Sequence, residues 1–228
     1  RVHMYEVIMH TNSEYFDVLD IGIPNFTKFG MDLGNTTLIT DVKPKFDFKS
    51  TYIYENKLPY ASRLLTALQT IDSSNVILLH EDFILYNTVQ TNKLIELDGW
   101  LSKNPSYDFI RFMKSAESLD VKGPIENTWI STNQFAIQAT LFRKDFLSSY
   151  LTKYSKHSIW DLEKEAKNNS HNGLYWYNNE PKRGAVHYDS SLFPCMATAV
   201  YKGRWCAEYV KELITMFPKF DFTKRGWV

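Results

Sequence analysis

Glycine is scarce in this sequence, at nine of 228 residues, and the scarcity excludes several kinds of site. No Gly-x-Gly-x-x-Gly follows an apolar run and no Gly-Lys-Ser/Thr occurs, so the dinucleotide-binding and P-loop signatures are missing. The Gly-x-Ser-x-Gly elbow of serine hydrolases is missing too. The two cysteines, Cys195 and Cys206, make neither a disulfide framework nor a zinc pattern, and a reducing compartment is the expectation. No stretch of about 18 apolar residues could span a bilayer, and no signal peptide is visible. Acidic and basic residues balance at 26 each, which gives no general attraction to nucleic acid or anionic membrane. The expected setting is therefore cytoplasmic. Abundant Asn, Lys, Tyr and Ile would suit a low-GC microbe or a virus in its host's cytoplasm. The chain begins at Arg1 rather than Met, and one domain of a longer polypeptide is the expectation.

Apolar residues at 44% are enough for a sizeable core. Aromatics at 15% suggest a ring-lined groove suited to sugars or bases, beside rings that are simply core. The most informative stretch is Val76-Ile77-Leu78-Leu79-His80-Glu81-Asp82. Four consecutive apolar residues read as a strand buried on both faces, as in a parallel sheet. Carboxylates at its end are costly unless paired, and strand carboxyl ends are where open α/β sheets bind ligands. The alternative is that they only begin a polar turn.

Strands are expected over His3 to Met9, Thr36 to Thr40, Thr51 to Tyr54 and Tyr107 to Met113. Helices are expected over Glu14 to Leu19 with Ser13 or Asn12 as cap, after Pro59, and over Leu94 to Leu101 behind an Asn87/Gln90 capping box. This alternation favours a parallel α/β half up to about residue 113. Beyond it lie a loop over Ser115 to Asn127, one or two strands within Trp129 to Thr140, and a helical face from Leu141 to Tyr154. A helix capped by Ser158, an Asn- and Tyr-rich loop over Asn168 to Arg183, and a last helix with Cys206, Tyr209, Val210 and Leu213 on one face complete the chain. The expected architecture is one α/β domain with a nucleotide half (about 1–113) and an acceptor half (114–228).

The order strand, helix, strand, helix, buried strand, acidic motif resembles GT-A-fold glycosyltransferases, in which an Asp-x-Asp ends the central strand. The matching triplet is His80-Glu81-Asp82, with His80 in place of the first Asp. Gln138 through Leu147, then Trp160-Asp161-Leu162-Glu163, then Phe193-Pro194 through Lys202-Gly203-Arg204-Trp205 are similar, in order, to stretches of some bacterial and viral glycosyltransferase-like proteins. Phe142 departs from a Trp there.

The resemblance implies a GT-A-like, mostly parallel sheet flanked by helices. It also implies an inverting sugar transfer from a nucleotide sugar, of the UDP class, to a hydroxyl on a glycan or glycoconjugate, with Mn²⁺ or Mg²⁺. Asp82 is the implied metal or diphosphate residue, with Glu81 and His80 beside it. His187 is a further metal ligand or else an exposed loop histidine. Thr11, Asp41, Arg63 and Lys202 are implied for the donor. For Asp41 a turn-forming role is open, and for Arg63 a surface ion pair. Gln138 and Trp160 are implied for the acceptor. Glu163, with Asp161 second, is the implied base, unless Glu163 only pairs with Lys167 along its helix. Two other functions remain open: a sugar nucleotidyltransferase, which would want Gly and Lys in the first loop, and a non-catalytic carbohydrate-binding domain with a degenerate site.

Overall fold

The computed structural model describes residues 5–116, 121–132, 135–166, 172–184 and 186–228. In chain order the elements are β1 (Tyr5–His10), α1 (Phe16–Lys28), β2 (Thr36–Thr40), β3 (Ser50–Ile53), α2 (Tyr60–Leu68), β4 (Asn75–His80) and α3 (Thr91–Lys103). They continue with β5 (Phe109–Arg111), β6 (Thr128–Thr132), β7 (Thr140–Arg143), α4 (Lys144–Lys153), α5 (Ile159–Ala166) and β8 (Asn172–Trp176). The short strands β9 (Lys182–Arg183), β10 (His187–Tyr188), β11 (Val200–Tyr201) and β12 (Arg204–Trp205) precede α6 (Val210–Met216).

Among the described residues the main sheet has eight strands in the order β3-β2-β1-β4-β7-β5-β8-β6. β1, β2, β3 and β4 pair in parallel. β7 runs against β4 and β5, β8 is parallel to β5, and the edge strand β6 is antiparallel to β8. The chain is thus an α/β protein with a mostly parallel sheet. The period-two geometry of β4 sends Ile77 and Leu79 into one core with α1 and α3, and Val76 and Leu78 into another with α2, α4 and α5. That two-faced burial is what the apolar run predicts. A third cluster joins Val18 and Ile21 of α1 to Trp205, Tyr209, Leu213 and Phe222 near the C-terminus.

The first half follows the expected alternation, but several expectations from the second half are corrected. The Asn168 to Arg183 stretch is not wholly loop, because Asn172–Trp176 is an interior strand of the sheet. Leu141 and Phe142 lie in β7 and pair with Ile77 and Val76, with the helix starting only at Lys144. A short apolar run does not distinguish strand from helix by period alone. The first helix runs on to Lys28, well beyond Leu19. The Asn87/Gln90 capping box does not form. Asn87 accepts from Thr88, and Gln90 reaches the Ser191 carbonyl instead. Cys206 precedes the last helix rather than lying on its face. β5, from the first half, sits between β7 and β8 of the second, so the two halves interleave in one sheet.

Candidate active site

The parallel strands β1 and β4 end side by side, with His10 in register with His80. Their ends, with the residues that follow, form the floor of a cleft of about 1100 Å³. His10, Thr11, His80, Glu81 and Asp82 all line it. Tyr60, at the start of α2, shares a hydrogen bond of 2.9 Å with His80 Nε2. The His10 ring stacks on Tyr54 at 5.6 Å. Burial pushes His80 down to about 4, and burial together with the His80 and Arg63 charges holds His10 well below the ordinary histidine range. Both imidazoles are neutral at physiological pH.

Glu81 and Asp82 form an adjacent acidic pair. Burial, then the Asp82 charge, pushes Glu81 well above the usual carboxylate range, partly offset by its own amide and the Thr11 hydroxyl. Burial also raises Asp82, against hydrogen bonds from its own amide and that of Val200. Two neighbouring carboxyls in a low-dielectric floor resist ionising together.

The opposite wall comes from the second half. β7 runs antiparallel to β4, with Thr140 opposite Leu78, so the segment entering β7 lies at the same end of the sheet. That segment brings Ile137 and Gln138 to the cleft. Glu163 and Trp160 of α5 join them, as positions i and i+3 on one helix face should. The Ile137 amide donates to Glu163 Oε1 at 3.1 Å. His187 and Lys202 also line the cleft. Burial, then the charge of Arg111, lowers His187. Arg111 itself is fully buried at the end of β5 and donates to Ser131 Oγ at 3.0 Å.

Three expected site residues have other employment. Asp41 accepts from the Ser13 amide at 2.6 Å and the Ser13 hydroxyl at 2.9 Å. Burial raises its carboxyl, but these bonds outweigh that and leave it below its ordinary value. It braces the loop after β1, as the turn-forming alternative has it. Arg63 is neither a cleft residue nor a surface ion pair. Its guanidinium donates to the Leu58 and Asn56 carbonyls and lies 4.0 Å from the Tyr54 ring centre. Asp161 points away from the cleft, exchanging hydrogen bonds with Ser158 and pairing with Lys164. Asp161 is not among the residues that line the cleft, and Ser158 caps the helix start. The Glu163–Lys167 pairing cannot be compared, since Lys167 lies outside the described residues.

Sequence reasoning missed His10, Tyr15 and Tyr60, which also line the cleft. Nothing in the sequence marked the tyrosines out among fourteen. His10 had a signal, since it ends a strand that precedes a helix.

Among the described residues no three His, Cys, Asp or Glu gather as a metal cluster. His80, Asp82 and His187 are therefore not assembled as one ligand set, and His80 is engaged by Tyr60. The adjacent Glu81 and Asp82 carboxyls do fit a hard cation of the Mg²⁺ or Mn²⁺ kind. Such an ion is often held by one or two carboxylates plus phosphate oxygens and water, and its charge would relieve the repulsion within the pair.

No family profile matches the chain, and no curated protein matches it in sequence. Solved structures resemble it at low identity. The bifunctional IspDF from Campylobacter jejuni is 14% identical, with a TM-score of 0.47, over 77% of this chain and 50% of that one. A cytidylyltransferase from Leptospira borgpetersenii is 12% identical over 96% and 97% of the two chains, with a TM-score of 0.49. TarS from S. aureus, residues 1–349, is 11% identical over 82% and 60%, with a TM-score of 0.46. The chain thus spans half of the IspDF chain and three-fifths of the TarS chain.

Proposed function

We propose that this chain is a glycosyltransferase. On this reading it moves a sugar from a nucleotide-sugar donor, of the UDP class, to a hydroxyl of a glycan or glycoconjugate, with inversion at the anomeric carbon. The observation that supports it is the pairing of two kinds of carboxyl in one cleft. Glu81 and Asp82 sit at the strand ends, where a diphosphate and its cation would lie. Glu163 comes from the other half of the chain with one oxygen tied to Ile137.

The roles divide accordingly. Thr11 and Lys202 contact the donor, and Asp82 with Glu81 would hold Mn²⁺ or Mg²⁺. A cation there would neutralise charge gathering on the departing diphosphate. Trp160 and Gln138 receive the acceptor. Glu163 takes the proton from the acceptor hydroxyl while that oxygen bonds to the anomeric carbon. The bond from the anomeric carbon to the diphosphate oxygen breaks, and the electron pair leaves with the nucleoside diphosphate. Atoms and charge balance without a redox partner.

A thermal-shift panel of nucleotides and nucleotide sugars, with and without Mn²⁺, tests the donor, and donor turnover tests the chemistry. A uridine diphosphate ligand at about a hundred times its Kd should stabilise the fold by about 2.7 kcal/mol, more than adenosine or guanosine diphosphates do. Equal or absent shifts across the panel count against a nucleotide-sugar site. Nucleotide binding without donor turnover indicates a degenerate binding domain. Pyrophosphate release from a nucleoside triphosphate and a sugar phosphate would replace this reading with nucleotidyl transfer.

A further inference from the structure

Arg225 ties together three segments that border the cleft. Its guanidinium grips Asp17 with both arms, Nε to Oδ2 at 2.7 Å and Nη2 to Oδ1 at 2.5 Å. Nη2 also donates to the Glu14 carbonyl, and Nη1 donates to the Gly203 carbonyl at 3.3 Å. The cation lies 4.7 Å from the centre of the Tyr15 ring. Tyr15 lines the cleft from the loop after β1, Lys202 from the β11–β12 turn, and Val228 from the C-terminus. The last of these segments is stitched to the second by the Trp205 amide on the Gly226 carbonyl and the Val228 amide on the Trp205 carbonyl.

The turn has its own mark of constraint. Lys202 and Gly203 both take positive φ, +49° and +79°. A two-residue hairpin turn requires that geometry at both central positions, so the β11–β12 turn is locally defined. Arg225 meets it at the Gly203 carbonyl. Tyr15 lines the cleft together with Glu81 and Asp82, so the segment on the other side of Arg225 borders the acidic floor.

We propose that Arg225 is a positioning residue for the diphosphate end of the donor, holding the Tyr15 loop and the Lys202 turn at a fixed separation. This rests on the nucleotide-sugar reading of the cleft. With the separation fixed, the Lys202 ammonium and the Glu81–Asp82 floor can engage one diphosphate together. A planar fork is needed, because one group must meet a carboxylate with two parallel bonds and still reach two carbonyls. Arginine has that geometry and lysine does not.

The test compares wild type with Arg225→Lys and Arg225→Gln. The readouts are UDP affinity in Mn²⁺ by calorimetry, donor and acceptor KM, kcat, and the melting midpoint without nucleotide. Arg225→Lys should weaken UDP and raise donor KM by about tenfold, the loss of roughly one charge-assisted hydrogen bond. Acceptor KM and kcat should change little, and Arg225→Gln should weaken UDP further. A lower melting midpoint with UDP affinity and donor KM within about twofold of wild type, too small a change for one lost hydrogen bond, would make Arg225 merely structural and overturn the proposal. Wild type that binds no nucleotide of the panel overturns the sugar-transfer reading, and this proposal with it.

Discussion

Ile137 donates its backbone N–H to Glu163 Oε1 at 3.1 Å, tying the segment that carries Gln138 to the helix that carries Trp160. One carboxylate oxygen is held by the backbone while the side chain still lines the cleft. A general base needs such anchoring, because proton transfer demands fixed geometry before it demands a suitable pKa. A glutamine keeps an oxygen for Ile137 but loses the basicity and the negative charge that buried Arg111 feels. Glu163→Gln should therefore leave UDP affinity intact and lower transfer at least about a hundredfold, as measured by single-turnover product formation. Asp161→Asn should transfer like wild type, since Asp161 faces Ser158 and Lys164. Transfer within a few-fold of wild type in Glu163→Gln would point to a retaining reaction or another base.

Asp82→Asn should separate binding from folding. The carboxyl is raised by burial, so a neutral isostere imposes no new cost on the nucleotide-free fold, and its melting midpoint should not fall. UDP affinity in Mn²⁺ should drop at least about tenfold, as for the loss of a metal-supporting group. Without metal, wild type and variant should bind alike. Calorimetric affinities that match in both conditions would shift the diphosphate to Lys202 alone.

Much of this arrangement was legible in the sequence, for identifiable reasons. The central strand stood out because Val76 to Leu79 are apolar without a break, which only two-faced burial requires. Its position made Glu81 and Asp82 candidates, and both line the cleft. β8 was not legible. Its Gly173 would bring a Cβ within 2.1 Å of the Phe109 ring, so the strand needs glycine where that ring crosses it. A glycine beside Asn172 then reads as a turn, although glycine in a strand also marks close approach. The Arg225–Asp17 grip spans 208 residues, and no local pattern encodes it. Arg111 did carry a signal, as a lone cation within Tyr-Asp-Phe-Ile-Arg-Phe-Met, but burial of that cation beside the cleft follows only from the fold.

The opposite end of the sheet offers a test of pH dependence away from the cleft. Asp98 is fully buried. Its Oδ1 accepts from Asn75 Nδ2 at 2.8 Å, while Oδ2 has no hydrogen-bond partner among the described residues. Burial raises its carboxyl, with Asn75 pulling the other way. A carboxyl raised in the folded state favours folding below its unfolded pKa of about 3.9. That contribution is lost as pH rises through the folded value. Asp98→Asn keeps the acceptor for Asn75 and removes the titration. The stability gap, variant minus wild type, should grow from acidic pH through the carboxylate range and then level off. Urea denaturation at a series of pH values measures it, and a gap independent of pH would show that Asp98 titrates normally.

Trp160 offers the sharpest test of the acceptor side. It is 59% exposed, yet it lines the cleft. Leu162 and Ala166 are the α5 residues buried in the core, so the helix is anchored without the indole. Removing an exposed side chain of this kind should alter stability by no more than about 0.5 kcal/mol. An indole stacked on a sugar ring, by contrast, contributes on the scale of an aromatic contact, so Trp160→Ala should raise acceptor KM by about tenfold. UDP affinity should stay at the wild-type value, because the groups proposed for the donor, Thr11, Glu81, Asp82 and Lys202, lie elsewhere in the chain. The same helix turn carries Glu163, so the comparison is internally controlled. Glu163→Gln should lower kcat with acceptor KM preserved, and Trp160→Ala should do the reverse. A Trp160→Ala variant with wild-type acceptor KM would leave the indole as a surface residue and move acceptor recognition to the Gln138 side of the cleft.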